Sequence, residues 1–177
     1  LQSVQTDNDP RLQRSIWEIQ PSKRWEFAQS GPVDDELGCY WSCLDWTGDG
    51  ILMARLQGQA AFGRQGVAIS TVRKVVCFPY FGHPFTSELA VVVPANEELA
   101  SAIYSFCATP DYEIAVRALD QKLAITNATL GKVPFDLAHW QQLAAERYPH
   151  GLPKPYSDDP TQWLFHGHPL PATDPLQ

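Results

Sequence analysis

The chain contains no apolar run approaching the roughly 18 residues that a bilayer-spanning helix requires. Its first stretch, Leu1 to Asp9, is polar and lacks the apolar core of a secretory signal. Cysteine is sparse, with only Cys39, Cys43, Cys77 and Cys107 in 177 residues. Cys77 and Cys107 fall inside apolar runs, which predicts buried thiols. These scarcities together predict a reduced, cytoplasmic protein with no membrane partner. Motifs of chemistry are missing as well. There is no G-x-S-x-G elbow and no P-loop, and Gly48-Asp49-Gly50 lacks the third glycine and strand-to-helix setting of a dinucleotide fingerprint. No nucleophilic triad can be nominated, so no catalytic residue is assigned and a standalone enzyme is not expected. Cys39-x3-Cys43 and the distant His166-x-His168 have loose spacing for a zinc site, and the two thiols fit better as neighbours of Trp41 and Trp46. Asp158-Asp159 reads as a solvated turn rather than an acid/base pair.

One further scarcity points somewhere. Between Gly50 and Ser87 there is no Asp or Glu, while Arg55, Arg64, Arg73 and Lys74 all lie there. The chain as a whole is acidic, with 20 acids against 13 Lys and Arg and a net charge of −7. From Phe135 onward the balance is acidic again. Global acidity argues against nucleic acid, whose phosphates need local positive potential, but a basic middle on an acidic body is compatible with a one-sided anion-binding face.

A hydrophobic fraction of 44% with six tryptophans is enough for a real core. Ile16-Trp17-Glu18-Ile19 and Ile51 to Leu56 are strand candidates. Gly31 to Gly38 and Thr47-Gly48-Asp49-Gly50 are turns. Val67 to Thr71, Val75 to Phe78 and Glu88 to Val93 read as strands, with Pro79 ending the second and Pro94 the third. Helices follow. Asn96 caps one carrying Leu99, Ala102, Ile103 and Phe106. Thr109-Pro110 opens a second with Tyr112, Val116, Leu119 and Leu123 on its apolar face. Asp136 caps a third with Leu137, Trp140 and Ala144 inward. Ile125 and Leu130 to Val133 suggest a short extended return between the last two. Strands followed by helices predict an α+β fold: a mixed or antiparallel sheet, helices on one side and an irregular Pro-rich tail.

Two segments have the chemistry of a polyanion contact. Arg64 follows a glycine in a turn, and Ser70, Thr71, Arg73 and Lys74 place two hydroxyls and two cations within five residues. Hydroxyls position phosphates, and arginine can read guanine in the major groove. Lys122, Asn127, Thr129 and Lys132, with Arg117 nearby, form the second segment. Asn127 can read adenine or simply serve a turn, and Arg73 and Lys74 can equally be a solvated strand end.

Ordered blocks across the chain resemble the target-recognition part of large adenine-specific DNA methyltransferases, a group that includes fused restriction–modification enzymes and PglX-like phage-defence methylases. The blocks are Thr6-Asp7-Asn8 with Arg11, Arg14 and Ile16 to Ile19; Gln65 to Ser70; Ile103 to Cys107; Asp120 to Leu123; Thr126 to Leu130; Lys132 to Asp136; and Tyr156 to Pro169. The family's glycine between Thr6 and Asp7 is missing. So are its Asn/Asp-Pro-Pro-Tyr catalytic motif and its glycine-containing S-adenosylmethionine motif.

The resemblance therefore implies a specificity domain, residues 1–150, followed by a Pro-rich surface-wrapping tail, 151–177. The partners it implies are double-stranded DNA and a catalytic domain lying elsewhere in a longer parent. The cofactor, S-adenosylmethionine, would belong to that parent and none to this chain. The chain starts without Met and is expected to be a piece of that longer polypeptide. Net acidity and the Trp-containing tail suggest the alternative, a protein–protein interaction module of a defence complex.

Overall fold

A computed structural model describes residues 3–20, 22–30 and 39–152. The fold is α+β, as the order of patterns predicts. Its centre is strand β6, Gly66–Ser70, whose five residues are all buried. A short continuous apolar run of this kind suits a strand covered on both faces. Antiparallel neighbours β7, Cys77–Tyr80, and β8, Leu89–Val92, flank it.

Side-chain alternation sorts this sheet's contacts. Val67, Ile69, Cys77 and Ala90 face a core completed by Cys107, Tyr112, Val116, Ile125, Leu130 and Val133. Ala68, Phe78, Tyr80, Leu89 and Val91 face the opposite side, with Ala61 and Phe85. Gly66 sits where β6 crosses closest to β8: a Cβ there would lie 2.4 Å from the Val92 carbonyl oxygen.

The four-helix side follows the predicted caps. The Asn96 side chain accepts the Glu98 amide and starts a 3₁₀ turn, Glu97–Leu99, that runs into α3, Ala100–Cys107. The Thr109 hydroxyl accepts the Tyr112 amide, with Pro110 first in α4, Pro110–Leu119. The Asp136 carboxylate accepts the His139 amide at the start of α6, Leu137–Arg147, which packs on α3. Between them lies α5, Asn127–Leu130. These helices cover one face of the β6 sheet.

The other face meets the N-terminal half. There β4, Cys39–Asp45, lies between β2, Gln13–Ser15, and β3, Trp25–Ser30, in a second antiparallel sheet. A two-stranded pair joins β1, Val4–Gln5, to β5, Arg55–Leu56. Among the described residues this half also holds the short turns α1, Asp9–Leu12, and α2, Thr47–Gly50, the latter with left-handed Gly48 and Asp49, and 3₁₀ turns at Ile16–Glu18 and Gln59–Ala61. Phe62 packs against the clusters of both halves, edge-on to Trp46 at 6.0 Å and to Phe85 at 6.5 Å. Gln29, fully buried, bridges with Phe85, and its side-chain amide donates to the Pro79 carbonyl.

Several sequence expectations fail for identifiable reasons. Ile16–Glu18 is a 3₁₀ turn rather than a strand, because Ser15 and Glu18 form a reciprocal capping box around it. Only Arg55–Leu56 of the 51–56 segment is a strand. Strand β7 runs through Pro79 instead of stopping there, which an edge position allows because no ladder partner needs the missing amide. The extended return expected at Ile125 and 130–133 is interrupted by the helical turn Asn127–Leu130 and continues as a turn at 131–132 rather than a strand. Leu119 and Leu123 are 54% and 69% exposed, since α4 ends at Leu119 and Asp120 turns to extended backbone. Leu137 is also largely exposed, while Ala144 is buried. The acidic turn 31–38, Asp158-Asp159, His166, His168 and the tail beyond Leu152 lie outside the described residues.

Candidate nucleic-acid interface

The two basic segments are separated by about fifty residues in sequence, yet the fold joins them. Val72 forms an antiparallel bridge with Ala124. The Arg73 amide donates to the Leu123 carbonyl at 2.9 Å, and the Ile125 amide donates to the Thr71 carbonyl at 2.8 Å. This short ladder extends the β6 side of the sheet onto the loop after α4. It places Arg73, Lys74 and Lys122, all exposed, at one corner. Arg117 reaches the same corner from α4 and donates through Nη1 to the Lys122 carbonyl at 2.6 Å.

Arg73 is held at φ 65°, in the left-handed region that costs a non-glycine residue about 1–2 kcal/mol. Its amide is fixed by Leu123 across the ladder, so the strain is imposed by the pairing that builds the corner.

Acids are interleaved with these cations. The Asp120 carboxylate accepts the Lys122 amide at 3.0 Å, which holds its pKa below the usual carboxylate range, and the Thr129 hydroxyl assists. Glu113 accepts the Val75 amide at 3.1 Å, and exposed Glu88 supplies its carbonyl to Thr71.

The remaining candidates divide by burial. Ser70 and Thr71 are buried at 0% and 5% exposure. Their hydroxyls donate to the carbonyls of Val72 and Glu88, so neither meets a ligand at the surface. Thr129 is likewise buried, its hydroxyl engaged with Thr126 and Asp120. Central-strand burial is what overrides the hydroxyl-rich pattern. Arg64 lies apart from the corner, where its guanidinium donates to the Pro94 carbonyl at 2.8 Å and approaches Glu97 at 3.7 Å. It ties the turn before β6 to the start of the helical side. Asn127 is exposed as the first residue of α5, and Lys132 is exposed just beyond that helix.

The thiols carry no chemistry of this kind. Burial pushes the Cys43 and Cys107 thiols up to about 12 and the Cys77 thiol higher still. Among the described residues no group of three or more His, Cys, Asp and Glu is arranged to hold a metal ion. No described helix is long and apolar enough to cross a membrane.

Comparison with models of protein families and with curated proteins finds no match to this chain.

Proposed function

We propose that this chain is the DNA target-recognition domain of an adenine-specific DNA methyltransferase, gripping duplex DNA at the Arg73–Lys74–Arg117–Lys122 corner. One observation carries the reading beyond the sequence resemblance. Two basic segments remote in sequence are zipped together by backbone pairing, and Arg73, Lys74 and Lys122 are exposed beside the junction, with half-buried Arg117 next to them. Such a set of cations suits phosphate positioning rather than base readout. Methyl transfer and S-adenosylmethionine binding belong in this reading to a separate catalytic domain of the parent. That domain would receive an adenine rotated out of the stack.

The test is fluorescence anisotropy of the chain with a labelled duplex across a salt series. Four cations on phosphates give a slope of log affinity against log salt of about −3 to −4. The Arg73→Ala, Lys74→Ala, Lys122→Ala triple variant should lower that slope by about 3. Absence of salt-dependent binding, or an unchanged slope in the variant, removes the corner from consideration.

A second reading, a protein-interaction module of a defence complex, is favoured by Ile114, Leu119 and Leu123, which are 65%, 54% and 69% exposed beside the interleaved acids. Under it, Leu119→Ser with Leu123→Ser weakens capture of the partner without DNA, while the triple cation variant does not.

A further inference from the structure

We infer that Leu123 reads a thymine methyl group in the major groove, giving the basic corner a point of sequence selectivity. The inference rests on the DNA reading above and goes beyond it, since the cations there only position the backbone.

The hydroxyls of this region cannot do the reading. Ser70, Thr71 and Thr129 are buried, and their hydroxyls are engaged inside the protein. The Asp120 carboxylate is turned back onto the Lys122 amide and the Thr129 hydroxyl. An apolar side chain is what stands exposed among the cations. Leu123 is 69% exposed, follows exposed Lys122 in sequence, and faces exposed Arg73 across the ladder.

Leu123 is also held in place. Its carbonyl accepts the Arg73 amide at 2.9 Å, Ala124 bridges Val72, and the Ile125 amide donates to the Thr71 carbonyl at 2.8 Å. Ile125 and Thr71 anchor this pairing in the interior. The result is a short two-stranded antiparallel ribbon with a pinned leucine at its end, flanked by positive charge. The major groove, about 12 Å wide, admits a two-stranded ribbon. Arg73 and Lys122 then meet the phosphates beside the groove. Against the bases, leucine has one matching feature, the thymine C5 methyl. The other base edges offer donors and acceptors that leucine would strip of water without replacing their hydrogen bonds.

The test begins with the whole chain selecting its tightest sequences from a pool of random duplexes. Fluorescence anisotropy then follows binding to the selected duplex with each thymine replaced in turn by uracil, which removes only the methyl. One replacement should weaken binding about fourfold, the value of one buried methyl-sized group. Leu123→Ala should weaken binding to the thymine duplex by a similar factor and become indifferent to that replacement. Its salt slope should match the parent's, because no charge changes, and so should its melting temperature, because the ladder uses only backbone atoms. Leu119→Ala, at an exposed leucine outside the ladder, should keep the parent's response to uracil. Salt-dependent binding without sequence preference, or a uracil effect that persists in Leu123→Ala, overturns the inference and leaves the DNA reading standing. Duplex affinity unchanged by Leu123→Ala, as the interaction-module reading expects, overturns it too. Absence of salt-dependent binding by the parent chain removes both the inference and the reading beneath it.

Discussion

Replacing Arg73 by glycine should stabilise the protein and, under the DNA-binding reading proposed above, weaken its affinity for a duplex. Arg73 and Asp49 are the described non-glycine residues at positive φ, and Arg73 sits at 65° with its amide on the Leu123 carbonyl. Glycine relieves a left-handed penalty of about 1–2 kcal/mol. Against that, the unfolded chain gains freedom that costs about 0.4–1 kcal/mol. The net gain is about 0.5–1 kcal/mol, or about 1–4 °C in melting temperature for a chain this long. Arg73→Ala is the control. It removes the same charge but keeps the strain, so its stability should stay within about 0.5 kcal/mol of the parent. Both variants should lower the salt slope of duplex binding by about 1. Urea unfolding and anisotropy read the two effects separately. If glycine is no more stable than alanine at this position, the strain argument is wrong. If both variants bind as the parent does, Arg73 does not touch DNA.

Gly66→Ala should cost about 3 kcal/mol or cause strand separation, because the new methyl would meet the Val92 carbonyl oxygen at 2.4 Å; urea denaturation reads it. Val116→Ala, at a site with no exposure, should destabilise by about 1.5–3 kcal/mol, whereas Leu119→Ala on the same helix should shift stability by no more than about 0.5 kcal/mol. Asp45→Asn should flatten the acid limb of the stability profile. The Arg24 guanidinium, bonded to Asp45 at 2.7 and 3.0 Å, holds that carboxylate below its ordinary pKa, with help from Thr47. Its stabilising contribution is therefore complete above the ordinary carboxylate value and is lost as pH falls through the depressed one, which thermal melts from neutral to acidic pH would follow.

Local patterns were legible where one signal dominated. Strand β6 announced itself as an unbroken apolar run, and Thr109-Pro110 and Asp136 marked their helix starts by capping chemistry that needs no tertiary context. Ile16–Glu18 misled because its composition favours a strand while Ser15 and Glu18 close a turn around it. Leu123 misled because helical phase was carried past the point where Asp120 ends the helix. In the candidate interface, residue type identified Arg73, Lys74 and Lys122 as exposed cations but could not separate them from Ser70, Thr71 and Thr129, whose hydroxyls the core consumes. Nothing local announced that residues 71–73 pair with 123–125.

The pairing of Thr71 through Arg73 with Leu123 through Ile125 has a kinetic meaning. The corner is a nonlocal object, closed only after β8, α3 and α4 have brought the chain back across the sheet. Loop closure of that length is among the later contacts a folding chain can secure. Affinity for a polyanion at this corner would then report completed folding of the helical half, and a loosened α4 would silence the surface before it unfolded the sheet.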